Sequence, residues 1–142
     1  MLWGQFYKHR RSIEKHEYHR VVDTCIHRGD VTFDMLKPEE NWNKRVVMIV
    51  PGVVGCSSDA YVQELVHKVT ESNYAAVVLN HLAPKKETTA DLRCLDFSQD
   101  ETMRDAFDFV DAHFKGNEGI YGVGFSLGGN YIMRSAGMPN AC

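Results

Sequence analysis

Ile120-Tyr121-Gly122-Val123-Gly124-Phe125-Ser126-Leu127-Gly128-Gly129-Asn130 is the stretch whose reading decides the fold. Ile120 to Phe125 reads as a strand and Leu127 to Ser135 as a helix, and the change between them is abrupt. It falls on Gly124-Phe125-Ser126-Leu127-Gly128, a Gly-x-Ser-x-Gly pattern. A turn this sharp lifts one side chain off the sheet, forces that residue into strained backbone geometry and brings strand and helix close together. Small residues two before and two after it avoid collisions, and Gly124 and Gly128 occupy those places.

Upstream, the hydrophobic pattern repeats this strand-then-helix order. Tyr18 to Ile26 and Val31 to Leu36 are β-prone runs around His27-Arg28-Gly29-Asp30, which predicts an antiparallel hairpin. Val46 to Val50 is a run of five apolar residues, as expected of a strand buried on both faces of a parallel sheet. After Pro51-Gly52, Ser57 or Ser58 can cap a helix that carries Tyr61, Val62, Leu65, Val66 and Val69 on one face, about four turns long, with Glu64 and Lys68 as an i,i+4 pair. Ala75 to Leu79 reads as a second buried strand, and Asn80 to Leu95 as a long loop. Ser98-Gln99-Asp100-Glu101 has the capping-box pattern ahead of an apolar stripe at Met103, Ala106, Phe107, Val110 and Phe114. The order hairpin, β, α, β, α, β, α predicts an α/β fold with a mainly parallel sheet and an amino-terminal antiparallel hairpin.

The chain has 142 residues, the size of one domain or of part of a larger one. Apolar residues at 44% and charged residues at 25% are ordinary globular usage. A net charge of −3 and a pI of about 6.1 argue against nucleic acid as a partner. Residues 1–17 form a basic amino-terminal segment, separate from a domain portion over 18–142. The aromatic and basic residues near the start (Trp3, Phe6, Tyr7, Lys8, Arg10, Arg11) leave weak peripheral contact with an anionic membrane as a secondary expectation. No apolar run approaches the length of a membrane span and no signal-peptide core precedes Arg11, so the chain is expected to be cytoplasmic. Cys25, Cys56, Cys94 and Cys142 include no Cys-x-x-Cys pair and read as reduced thiols. His16 and His19 would share a face only on a helix, and with no third ligand they signal no metal site. No cofactor is called for.

The chemistry gathers at Ser126. At the amino end of the last helix, free N–H groups and the helix dipole stabilise negative charge, which is what a carbonyl acquires when a serine hydroxyl adds to it. The N–H of Leu127 is the first expected oxyanion donor. A second should come from the loop after Val46 to Val50, because the carboxyl end of that strand borders the same crevice. Val53 N–H is expected there, with Gly52 and Gly55 allowing close backbone approach. The alternative, that these glycines only turn the chain, stays open. A competing pattern, Gly122-x-Gly124-x-x-x-Gly128, is similar to a dinucleotide-binding turn, yet no later strand remains to carry a ribose-binding acid.

Taken together, Pro51-Gly52-x-x-Gly55, Tyr61, Asn80-His81, Asp100 and Gly124-Phe125-Ser126-Leu127-Gly128-Gly129-Asn130 resemble the α/β-hydrolase fold proteins of the embryogenesis-associated-protein-like branch, which includes animal abhydrolase-domain lipases and bacterial esterase-like relatives. The resemblance runs from about Tyr18 to Cys142. It implies a serine esterase or lipase acting on acyl esters, small or lipid, glycerolipids among them, with Ser126 as nucleophile. In that family Asn-His-Arg-Gly follows the second buried strand, where this chain has Asn80-His81-Leu82-Ala83. The family's catalytic acid and histidine follow the nucleophile, whereas this sequence ends 16 residues past Ser126. The expectation is an amino-terminal part of a hydrolase, truncated after the nucleophile helix and inactive alone. His81 is the one histidine placed to substitute as base, with Asp91 or Asp96 to orient it, but a hydrogen-bonding role in the loop is the preferred reading for it; His67 and His113 lie on predicted helices and His27 in a turn. An uncovered strand from Ile120 to Phe125, lined by Tyr121, Val123 and Phe125, would favour the alternative of a non-catalytic module that associates with itself or a partner.

Overall fold

The computed structural model describes residues 17–23, 31–53, 55–80 and 100–137. These residues form five strands and three helices: β1 (His19–Asp23), β2 (Val31–Leu36), β3 (Arg45–Val50), α1 (Ala60–Glu71), β4 (Ala75–Asn80), α2 (Asp100–His113), β5 (Gly119–Gly124) and α3 (Leu127–Ala136). They build one sheet in the order β1-β2-β4-β3-β5. β1 and β2 are antiparallel, with His19 opposite Met35 and Asp23 opposite Val31. β2 is also antiparallel to β4, while β3 lies parallel between β4 and β5. The expected α/β fold with its antiparallel amino-terminal pair is therefore present, in a mixed sheet with two antiparallel and two parallel pairings, β3, β4 and β5 being the parallel part. The expected strand from Tyr18 is described as far as Asp23; residues 24–30, with its remainder and the turn, fall outside the described residues.

Strand alternation sorts the side chains into two cores. Val31, Phe33, Met35, Val46, Met48, Val50, Val77 and Leu79 meet Met103, Ala106, Val110 and Phe114 of α2, with Tyr131 and Ile132 of α3 packed against them. On the other face Val47, Ile49, Ala76 and Val78 meet Val62, Val66 and Val69 of α1. Covering both faces explains why Val46–Val50 and Ala75–Asn80 are buried throughout, the pattern that predicted a parallel sheet.

α1 has 12 residues, a little over three turns. Its N-cap is Asp59 rather than Ser57 or Ser58. Ser57 is drawn away by buried polar partners, described below. Asp59 Oδ2 instead accepts from the N–H of Cys56 at 3.0 Å, fixing the approach to the helix. The i,i+4 pair that forms is His67–Glu71 at 3.2 Å, not Glu64–Lys68. An exposed Glu–Lys pair at this spacing contributes only about 0.3–0.5 kcal/mol, too little to hold two long solvated side chains together. At the other end Asn73 adopts φ 62°, its N–H donates to Thr70 O at 3.0 Å, and Tyr74 N–H donates to Val69 O at 3.2 Å. This is a Schellman closure, with Asn tolerating the left-handed position, and it turns the chain directly into β4. His19 sits on a strand, so it shares no helical face with His16, which lies outside the described residues. Among the described residues no helix is long and apolar enough to cross a membrane.

Candidate active site

The parallel strands β3, β4 and β5 all end on one edge of the sheet, and the turn from β5 to α3 projects there. Ser126 has φ 52° and ψ −118°, a conformation rare for a residue with a side chain. The surrounding contacts hold it in place. Phe125 N–H donates to Val50 O at 3.0 Å, Gly128 N–H to Phe125 O at 2.9 Å, and Asn130 N–H to Ser126 O at 3.2 Å. A Cβ on Gly124 would stand 2.4 Å from Gly129 N, and one on Gly128 would stand 2.2 Å from Val50 O and 2.5 Å from Pro51 O. Both motif glycines are thus required where backbone meets backbone. That leaves nothing of the dinucleotide-type pattern facing a ligand: a Cβ on Gly122, its first glycine, would meet Ile132 and Phe107.

The loop after β3 runs beside the serine. A Cβ on Gly52 would lie 3.5 Å from Ser126 Cβ and 3.5 Å from Phe125 O. Gly55 N–H closes a turn onto Gly52 O at 3.0 Å. The Tyr61 ring meets Phe125 edge-on at 4.8 Å between centroids, so the aromatic at the start of α1 braces the turn from beneath. Val53 is 54% exposed. Leu127 is the first residue of α3, where an N–H has no partner within its own helix. Among the described residues, neither the Val53 nor the Leu127 N–H has an acceptor, and the exposed Ser126 hydroxyl has no hydrogen-bond partner. The structure therefore brings Gly52, Gly124, Ser126, Leu127 and Gly128 together, with Val53 on the adjoining turn. His81, Asp91 and Asp96 lie outside the described residues.

Behind this loop lies a buried polar cluster that the sequence reading does not anticipate. Asp34, fully buried on β2, accepts from Arg20 Nε at 2.6 Å and Nη2 at 2.7 Å, from Asn80 Nδ2 at 2.9 Å, and from Ser57 Oγ. Ser57 N–H donates to Asn80 Oδ1 at 2.9 Å, and Ser57 O accepts from Gln63 Nε2, whose amide also donates to Tyr18 Oη at 2.8 Å. Burial pushes the Asp34 carboxyl up, but the hydrogen bonds from Arg20, Ser57 and Asn80 outweigh it and hold the group below the ordinary carboxylate range. Tyr18 is pushed up to about 12, by burial first and then by the Asp34 charge, against the lowering effect of Gln63. One signal was available: Thr32 and Asp34 share a strand face with Leu36, and Arg20 stands opposite Asp34 once the β1–β2 register is known. Cys56, on the same loop, is a free thiol.

No family model matches the chain. It is 28% identical over 120 residues to abhydrolase domain-containing protein 2 of Drosophila melanogaster, covering 83% of this chain and 30% of that protein. It is 30% identical over 97 residues to embryogenesis-associated protein EMB8 of Picea glauca, covering 67% of this chain and 21% of that protein. Among solved structures it superposes on an α/β serine hydrolase without lid from Xanthomonas campestris, with a TM-score of 0.64 at 16% identity over 84% of this chain and 56% of the other. The chain thus spans less than a third of the curated relatives it matches and a little over half of that structure.

Proposed function

Because the chain belongs to the α/β-hydrolase family, we propose that Ser126 is the nucleophile of a serine ester hydrolase, of carboxylesterase or lipase type. The observation that carries this reading is the backbone of Ser126 at φ 52° and ψ −118°, on a turn whose neighbours are packed too tightly for anything but glycine. Such strain persists only where the surroundings over-determine it, and it presents the hydroxyl beside Gly52 at the amino end of α3.

In the proposed reaction a general base takes the Ser126 proton as Oγ bonds to the acyl carbon and the carbonyl electron pair moves onto oxygen. The Leu127 and Val53 N–H groups, both without an acceptor among the described residues, would hold that oxyanion; one such donor is typically worth about 10²–10³ in rate. Collapse breaks the ester C–O bond, the alcohol leaves with the proton from the base, and water repeats the cycle on the acyl-enzyme. The base and its orienting acid belong to residues outside those described. The substrate class is acyl esters, small or lipid, and the reaction as drawn uses no cofactor.

The test is hydrolysis of p-nitrophenyl butyrate by the whole native protein that carries this sequence, with and without Ser126→Ala. Loss of at least about 10³-fold is expected; equal rates would overturn the reading.

A second reading rests on β5. Among the described residues it pairs only with β3, and Tyr121 on it is 51% exposed. Val123 and Phe125 instead pack against the α1 core, so Tyr121 alone of the three expected edge residues is largely uncovered. Non-catalytic self-association through this edge would appear as concentration-dependent dimerisation in sedimentation that Tyr121→Lys abolishes.

A further inference from the structure

Ser57 stands five positions beyond Gly52, and each of its polar groups is held by a different element. Its hydroxyl donates to Asp34 on β2, its N–H donates to Asn80 on β4 at 2.9 Å, and its carbonyl accepts from Gln63 on α1. Asn80 closes the ring by donating to Asp34 at 2.9 Å, and Arg20 neutralises the carboxylate from β1. Asp34, Ser57, Gln63 and Asn80 are all buried, so the bonds among these four are shielded from bulk water. The other end of the same loop is fixed at Val50, whose carbonyl takes the Phe125 N–H at 3.0 Å. Between these anchors lies the Gly52–Gly55 turn that passes Ser126.

We infer that Asp34 and Ser57 are positioning residues: they clamp the 51–58 loop so that the Val53 N–H is preset beside Ser126. This rests on the oxyanion role proposed for Val53. The clamp itself touches neither the serine nor a substrate. Its effect is to remove the loop's freedom before reaction, which is how a preorganised donor comes to favour the transition state.

The test combines amide hydrogen exchange with fluorophosphonate labelling of Ser126, on the unmutated protein and on Ser57→Ala, Ser57→Thr and Asp34→Asn. Ser57→Ala is expected to speed exchange in peptides spanning 51–58 by about tenfold or more, while 45–50 and 75–80 stay slow. The labelling rate at saturating probe should fall by a similar factor, and Ser57→Thr, which keeps the hydroxyl, should restore both. Unchanged loop exchange in Ser57→Ala, or exchange that rises equally in the strands, would overturn the clamp. So would unchanged labelling at a Ser126 that does react. If Asp34→Asn does not fold, Ser57→Ala and its Thr rescue decide alone. If Ser126 of the unmutated protein takes no label, the nucleophile reading fails while exchange still decides the clamp.

Discussion

Gly128 lies against the carbonyl of Val50 so closely that a methyl group on it would come within 2.2 Å of that oxygen. The contact joins α3 to the end of β3, and no side-chain rotation can relieve it because both partners are backbone. Gly128→Ala is expected to cost about 3 kcal/mol or more, the upper end of overpacking penalties. Gly129→Ala offers the contrast: its Cβ would stand 3.2 Å from Gly124 O, and the roughly 1 kcal/mol gained in helix propensity offsets the squeeze. Urea midpoints of the two variants should separate clearly. Equal midpoints would contradict the tight crossing.

The strain at Ser126 should be measurable as stability. At φ 52° and ψ −118° a side chain costs on the order of 1–3 kcal/mol, and glycine escapes most of it. Ser126→Gly is therefore expected to be about 1 kcal/mol more stable than the unmutated protein, even with glycine's extra unfolded-state entropy. A less stable variant would mean that the turn is not strained.

Acid should act through Asp34. Its carboxyl lies below the ordinary value of 3.8 in the folded protein, because hydrogen bonds outweigh burial. The folded state therefore favours the carboxylate more than the unfolded state does. That stabilisation is complete above the unfolded carboxyl range and is lost as pH falls below about 4 through the folded value. Asp34→Asn should lower stability at pH 7 by about 1–3 kcal/mol and flatten the acid limb of a stability-versus-pH curve. An acid limb as steep as that of the unmutated protein would exclude Asp34 as its source.

Alkali should act through Tyr18. Its phenol is raised from 10.0 to about 12, so the folded state keeps a proton that the unfolded state releases. Stability from this source is whole below pH 10 and is lost as pH rises through about 12. An ultraviolet phenolate titration should show a late step near pH 12, and Tyr18→Phe should remove it.

The strands and helices were legible because their signals are local. Val46 to Val50 and Ala75 to Leu79 are unbroken apolar runs, and the glycines around Ser126 leave few alternatives to a tight strand-to-helix crossing. Ser57 reads as a cap for a physical reason: a serine three positions before the first helical residue looks like one until β2 is known to lie beside β4, and that neighbour relation appears in no local pattern. Asp34 was missed for the same reason. A strand that alternates polar and apolar residues reads as half solvated, whereas both faces of β2 are covered and the polar side chains Thr32 and Asp34 are buried. The edge at β5 was expected to expose Phe125, yet Tyr61 covers it, a contact between residues 64 positions apart.

The central claim is that Ser126 is an activated nucleophile. Fluorophosphonate labelling of native extract, followed by identification of the modified peptide and the intact mass of its parent, tests it most directly. The account predicts a label on Ser126 that Ser126→Ala abolishes. A protein that carries this peptide and stays unlabelled at Ser126, while other serine hydrolases in the same extract react, would contradict it.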